Sequence, residues 1–161
     1  MLIGVPGSGK STWAEPYLTK DGFQLVSSDA YIEMTAKAMG ETYGNIFKAT
    51  IGAATKWMEE RMNTALAGSQ NLIWDQTNLS MKSRRAKLDR LLDAGYAVTA
   101  VAFEIPAKEL ELRRKARELS TGKTIDPNIC ENMAKTYQRP TRHEGFTRVI
   151  IVTPEGEIEG G

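Results

Sequence analysis

Apolar and polar positions along the chain change period repeatedly, and each change predicts an element. Met1-Leu2-Ile3 is apolar and leads directly into glycines, the pattern of a buried strand that ends in a tight loop. A helix is predicted over 10–19, then a turn at Lys20-Asp21-Gly22 and a short strand, Phe23-Gln24-Leu25-Val26-Ser27-Ser28, ending at Asp29. Helices follow over 30–39 and, past Gly40 and Gly44, over about 45–67. In the second, Phe47, Ile51, Ala54, Met58, Met62 and Leu66 recur near a 3.6-residue period and predict core packing. Asn71-Leu72-Ile73-Trp74-Asp75 predicts a buried strand closed by a carboxylate. Ser80 can cap a helix to about 94, which Gly95 ends. A strand is predicted over 96–104, and Pro106 starts a helix over 107–119. Thr121-Gly122-Lys123 interrupts it; a further helix over 127–137, a strand over 147–152 and a polar tail complete the chain.

Alternation of strand and helix predicts the α/β class, with five strands in one parallel sheet and helices on both faces. The 161 residues suit one domain with one good core, and no repeat or linker marks a boundary. No run approaches the ~18 apolar residues of a membrane span, and no basic head precedes an apolar stretch, so a soluble, cytoplasmic protein without membrane association is expected. Cys130 is the only cysteine and lies in an apolar helical pattern, which predicts a small core residue. His143 is alone too, and no His/Cys metal cluster is expected. With 21 basic and 20 acidic residues there is no global field to attract a polyanion, so any nucleic-acid contact must be local.

Chemistry enters with Gly4-Val5-Pro6-Gly7-Ser8-Gly9-Lys10-Ser11, which satisfies G-x-x-x-x-G-K-[ST] in the strand–loop–helix setting the motif requires. Glycines at 4, 7 and 9 let successive amides turn inward as an anion nest, and the helix opening with Lys10-Ser11-Thr12 adds the positive end of its dipole. Residues 4–12 are therefore the predicted nucleotide cradle: Lys10 should reach β- and γ-phosphates, and the Ser11 hydroxyl should ligate Mg²⁺. Asp29 could take a proton from an attacking hydroxyl, or could simply cap the helix after it. Asp75 follows its strand in the manner of a Walker-B carboxylate, holding Mg²⁺, or makes a strand-end turn. Gln76, Thr77 and Asn78 offer donors and acceptors to a substrate, or form an ordinary solvated polar loop. Arg113 and Arg117 share a helix face, either to neutralise a transferring phosphoryl group on a mobile lid over about 113–126 or as a solvated surface paired with Glu109, Glu111 and Glu118. Lys82, Arg84, Arg85, Lys87 and Arg90 make the helix after Asn78 basic; a nucleic-acid backbone or plain solvent would suit it.

Together these residues resemble the small P-loop kinases of the bacteriophage polynucleotide kinase type. The likeness rests on 4–14, on Ser28-Asp29-Ala30-Tyr31, on Asp75-Gln76-Thr77-Asn78-Leu79, on the pair Arg113/Arg117, and on Tyr137-Gln138-Arg139-Pro140 with Glu144-Gly145-Phe146. It implies an adenylate-kinase-like core, ATP as donor, Asp29 as general base and lid arginines on the donor phosphates, with Asp29, Tyr31, Gln76, Thr77 and Asn78 facing the substrate. Where that family carries an arginine three residues past the base, this chain has Ile32, and an apolar side chain cannot fork onto a phosphate. The expected activity is ATP- and Mg²⁺-dependent phosphorylation of an alcohol on a nucleic acid, DNA or RNA: a 5′-hydroxyl end or the hydroxymethyl group of a modified pyrimidine. A kinase of free nucleosides or other small metabolites, and a non-catalytic ATP-binding module, are the alternatives.

Overall fold

A computed structural model describes residues 1–20 and 22–160; Asp21, within the predicted turn at 20–22, lies outside them. In chain order the elements are β1 (Leu2–Ile3), α1 (Lys10–Lys20), β2 (Gln24–Val26), α2 (Ser28–Met39), α3 (Tyr43–Ala67), β3 (Leu72–Trp74), α4 (Met81–Asp93), β4 (Thr99–Phe103), α5 (Ala107–Thr121), α6 (Pro127–Lys135), a 3-10 turn (Arg142–Glu144), β5 (Arg148–Thr153) and β6 (Gly156–Glu159).

Four strands pair in the order β1-β4-β5-β6, parallel except for the last pair, while β2 and β3 pair parallel as a second sheet. A single parallel bridge between Leu2 and Asp75 joins the two. The expectation of one five-stranded parallel sheet is thus corrected to a mixed four-stranded sheet and a two-stranded one. β1 has only two residues before the chain turns away into the glycine loop, which leaves little room for a ladder with β3. The predicted polar tail is in fact β6. Its Gly-Glu-Ile-Glu sequence is exposed throughout, so no apolar face announced it.

Period-two alternation sorts the strand side chains onto two covered faces. Ile3, Trp74, Ala100, Ala102, Val149 and Ile151 pack with Met58 and Met62 of α3 and Leu88 and Leu91 of α4. Leu2, Ile73, Val101 and Ile150 point the other way, against Trp13, Ala14 and Leu18 of α1. Leu2, Ile3, Val149 and Ile151 are each at most 1% exposed, a burial worth roughly 1.5–3 kcal/mol per side chain.

Caps set the helix starts that position the site. The Ser27 hydroxyl accepts from the Ala30 amide, so α2 begins at Ser28 and Asp29 sits in its first turn rather than at the end of a strand or as its cap. Thr42 caps α3 by accepting from the Asn45 amide. The buried stripe of α3 is Ile46, Ala54, Met58, Met62 and Ala65; Phe47, expected in the core, is 38% exposed and stacks on Tyr43, because at this end Ile46 is the residue turned onto α2.

Candidate active site

The glycine loop leaves β1 and reaches α1 in a tight path. Gly7 and Gly9 adopt φ of 84° and 98°, the left-handed region open to glycine, and the Gly4 amide donates to the Thr77 carbonyl (2.9 Å), tying the loop to the segment after β3. The first amides of α1 have no intrahelical acceptor, so the loop and helix start together offer N–H groups and a positive dipole end to an anion. Lys10 lies back across the loop, its Nζ donating to the Gly4 and Val5 carbonyls (2.9 and 3.2 Å). Burial holds its ammonium below the usual lysine pKa, against the pull of Asp75 and Asp29. The Ser8 hydroxyl, in a residue 1% exposed, has no hydrogen-bond partner among the described residues.

The Ser11 hydroxyl donates to Asp75 Oδ2 (3.3 Å), which brings two hard oxygens together beside the loop. That donor set fits Mg²⁺. Burial lifts the Asp75 carboxyl above the ordinary aspartate value, with Lys10 opposing it.

Helix α5 crosses from the loop to α2. Its Leu110 packs on Val5 and Leu79, and a Cβ on Gly7 would lie 2.9 Å from Arg114 Cγ. Arg113 donates to the Ser8 carbonyl (3.2 Å) and pairs with Glu109, one helical turn back. Farther along, Arg117 donates to Glu33 Oε1 (2.6 Å). Beyond the helix end, Lys123 Nζ donates to Asp29 Oδ2 (2.7 Å) and Glu33 Oε1 (3.1 Å), while the Tyr43 hydroxyl donates to Asp29 Oδ1 (2.6 Å). Burial pushes the Asp29 carboxyl up, but the charge and hydrogen bond of Lys123, the Tyr43 hydrogen bond and the Arg117 charge outweigh it, and its pKa lies below the aspartate norm. The loop, Asp29, Asp75, Arg113, Arg117 and Lys123 all line one cleft of about 980 Å³.

A family model for an AAA domain, AAA_33, matches residues 1–140. The chain belongs to that family. Over 159 residues this AAA domain is 29% identical to the bifunctional polynucleotide phosphatase/kinase of Schizosaccharomyces pombe, an alignment covering 92% of the chain and 32% of the yeast protein. It is 23% identical over 158 residues to a protein of Acanthamoeba polyphaga mimivirus provisionally given the same name, covering 95% of the chain and 32% of the viral protein. The chain therefore spans about a third of the length of these relatives, and their sources are a yeast and a mimivirus rather than a bacteriophage. Among solved structures, a provisionally named kinase from Chloroflexus aurantiacus superposes with a TM-score of 0.61 at 16% identity, covering 98% of this chain and 75% of that one. The structure of the PezAT chromosomal toxin-antitoxin system of Streptococcus pneumoniae superposes with a TM-score of 0.63 at 17% identity, covering 96% and 66%. The fold of this AAA domain is P-loop kinase-like.

Not every expected residue lies in the cleft of the AAA domain. Pro6 to Thr12, Gln76 and Thr77 line it; Gly4, Val5, Tyr31 and Asn78 do not. Tyr31, two residues past Asp29 and so on another side of α2, packs against Trp57 (centroids 5.6 Å apart). Asn78 is 1% exposed at φ 48°; its Nδ2 donates to the Leu2 carbonyl (2.8 Å) and its Oδ1 accepts from Lys87 Nζ (2.6 Å), so both ends of the amide fasten the loop away from the cleft. Ile32 is fully buried with Ala36, Ile46 and Ala54, so its position looks into the α2–α3 contact rather than the cleft. The basic helix α4 is not a continuous patch. Arg84 is buried on Glu144, Arg85 pairs with Asp89, Lys87 serves Asn78, and Arg90 binds Glu59 and Asn63. Sequence reasoning missed Glu33, Tyr43 and Lys123. Glu33 had a signal, lying one helical turn from Asp29; Tyr43 had none, and Lys123 only the helix break beside it.

Proposed function

We propose that this AAA domain is an ATP- and Mg²⁺-dependent phosphotransferase that moves the γ-phosphate of ATP to an alcohol carried by a nucleic acid. The observation that carries it is the shared cleft: the phosphate-binding loop and the Asp29 carboxylate line the same space, with the arginines of α5 above. Loop amides from Gly7 to Thr12 and Lys10 grip the triphosphate. Mg²⁺ held by Ser11 and Asp75 would offset phosphate charge as the bond to ADP breaks. Asp29, ionised at neutral pH, takes the proton of the alcohol as its oxygen bonds to the γ-phosphorus and ADP leaves; the proton then passes to solvent. Arg113 and Arg117, on the lid formed by α5 and its C-terminal end, neutralise charge on the moving phosphoryl group. The names of the yeast and mimivirus relatives support a polynucleotide acceptor.

A second reading has one observation in its favour. Arg84, Lys87 and Arg90 of α4 are engaged within the protein and leave Lys82 and Arg85 as its exposed cations, short of a continuous basic track, which suits a small alcohol such as a free nucleoside. Incubation with γ-labelled ATP and a panel of 5′-hydroxyl DNA, 5′-hydroxyl RNA, hydroxymethylpyrimidine DNA and free nucleosides separates the readings. Label is expected on a nucleic acid, with acceptor binding that weakens steeply as salt rises. Lys10→Ala and Asp29→Asn are expected to lower transfer by about 10²–10⁴. Full activity in Asp29→Asn removes the proposed base.

A further inference from the structure

Lys123 is more deeply enclosed than Glu33 and Arg117, the other charged side chains gathered beside Asp29, and the proposed reaction leaves it without a task. Its side chain is 3% exposed, and its ammonium sits 3.9 Å from the centroid of the Tyr43 ring while donating to Asp29 and Glu33. Delivery is specific. Gly122 ends α5 at φ 65°, and a Cβ there would lie 2.9 Å from Thr42 Cγ2, so only glycine lets the chain press against the cap of α3 and turn Lys123 inward. Burying an ammonium costs several kcal/mol unless it is well partnered. Two carboxylates and a ring face supply that here. An apolar residue would seat the loop with less penalty, but it would bring no charge to Asp29.

We propose that Lys123 is a positioning residue for phosphoryl transfer: with Tyr43 it grips the two oxygens of the Asp29 carboxylate from opposite elements and fixes their aim, while Glu33 tethers Lys123 itself. This rests on the reading of Asp29 as the base. Asp29 belongs to α2, Tyr43 to α3, and Lys123 and Arg117 to the α5 segment; Glu33 lies one turn along α2, and Lys10 and Asp75 act across the cleft. A carboxylate free to rotate would meet the alcohol in the wrong geometry, and misplacement by about 1 Å can cost about 100-fold in rate. Lys123 also opposes protonation of Asp29, so its loss should raise the pH at which that carboxyl titrates.

The test uses the full chain labelled with ¹³C in its aspartate carboxyls, the Asp29 signal being identified by its loss in Asp29→Asn. In Lys123→Met the Asp29 carboxyl is expected to titrate about one pH unit or more higher, and kcat to fall about 10-fold or more with KM for ATP within about twofold. Lys123→Arg should restore both. Tyr43→Phe, which removes one hydrogen bond and keeps the ring, should move both quantities the same way by less. An unmoved titration and an undiminished kcat in Lys123→Met overturn the proposal. Full activity in Asp29→Asn overturns the base reading instead; the two failures are distinct because the titration needs no turnover.

Discussion

Arg84 is the largest side chain to be fully buried, and the consequence of removing its partner can be worked from the contacts. Its Nε and one terminal nitrogen donate to the two oxygens of Glu144, both at 2.7 Å, and the other terminal nitrogen donates to the carbonyls of Asn78, Leu79 and Gln138, each at 3.0 Å. Glu144 has 4% of its side chain exposed and also accepts from the Thr141 amide (3.2 Å). Glu144→Gln keeps the shape and deletes the charge, leaving a guanidinium without its counter-ion in a dry site. Such a break costs about 3–5 kcal/mol. At about 2–4 °C per kcal/mol for a chain of this size, the midpoint of thermal unfolding should fall by about 6–20 °C. Urea denaturation with an unchanged m-value is the assay. The double variant Arg84→Met/Glu144→Leu should be less destabilised than the sum of the single ones, because no lone charge remains. It should not return to wild type, since the Asn78 and Gln138 carbonyls lose their donor, while Leu79 keeps the Gln138 amide. A loss in Glu144→Gln below about 1 kcal/mol would refute the reasoning, because the burial would then carry no electrostatic penalty.

Two further substitutions test how the loops are held. Gly7→Ala places a Cβ at φ 84° beside Arg114; the side chain can move aside, but the backbone strain of order 1–3 kcal/mol stays, and calorimetric titration should show ATP binding weakened about 10-fold, whereas unaltered affinity would reject the amide nest. Asn78→Ala removes the bond to Leu2 and strands Lys87, at about 1–3 kcal/mol in chemical denaturation, with kcat/KM for the acceptor unchanged in the folded protein; a selective loss of acceptor turnover would instead return Asn78 to the substrate.

How legible the molecule was depends on the range over which each feature is decided. The glycine loop is local: its fixed spacing is the anion nest, and Asp75 follows its strand by one residue, so residue order alone places them. The alternating strands announced both covered faces for the same reason. The α2–α3–α5 junction is not local. Lys123 meets Asp29 across 94 residues of chain, and nothing near either residue encodes that meeting. Arg84 looked like one more surface cation, since arginines are rarely buried without a partner and Glu144 is 60 residues away. The same contact gives the tail its place in the structure. Gln138 accepts from Arg84 and from the Met81 amide, Glu144 holds the guanidinium, and Phe146 enters the core, so the tail is a brace for α4 rather than part of the cleft.

The lone bridge between Leu2 and Asp75 divides labour as well as hydrogen bonding. The glycine loop springs from one sheet, while Asp29 and Asp75 follow strands of the other, and that bridge, the Gly4–Thr77 contact, the Asn78 amide and the Ser11–Asp75 hydrogen bond stitch the seam above a shared core. Asp75 stands on that seam, so the half that bears Asp29 also reaches the Ser11 hydroxyl at the start of α1, and a shift of either sheet is felt where the two halves meet.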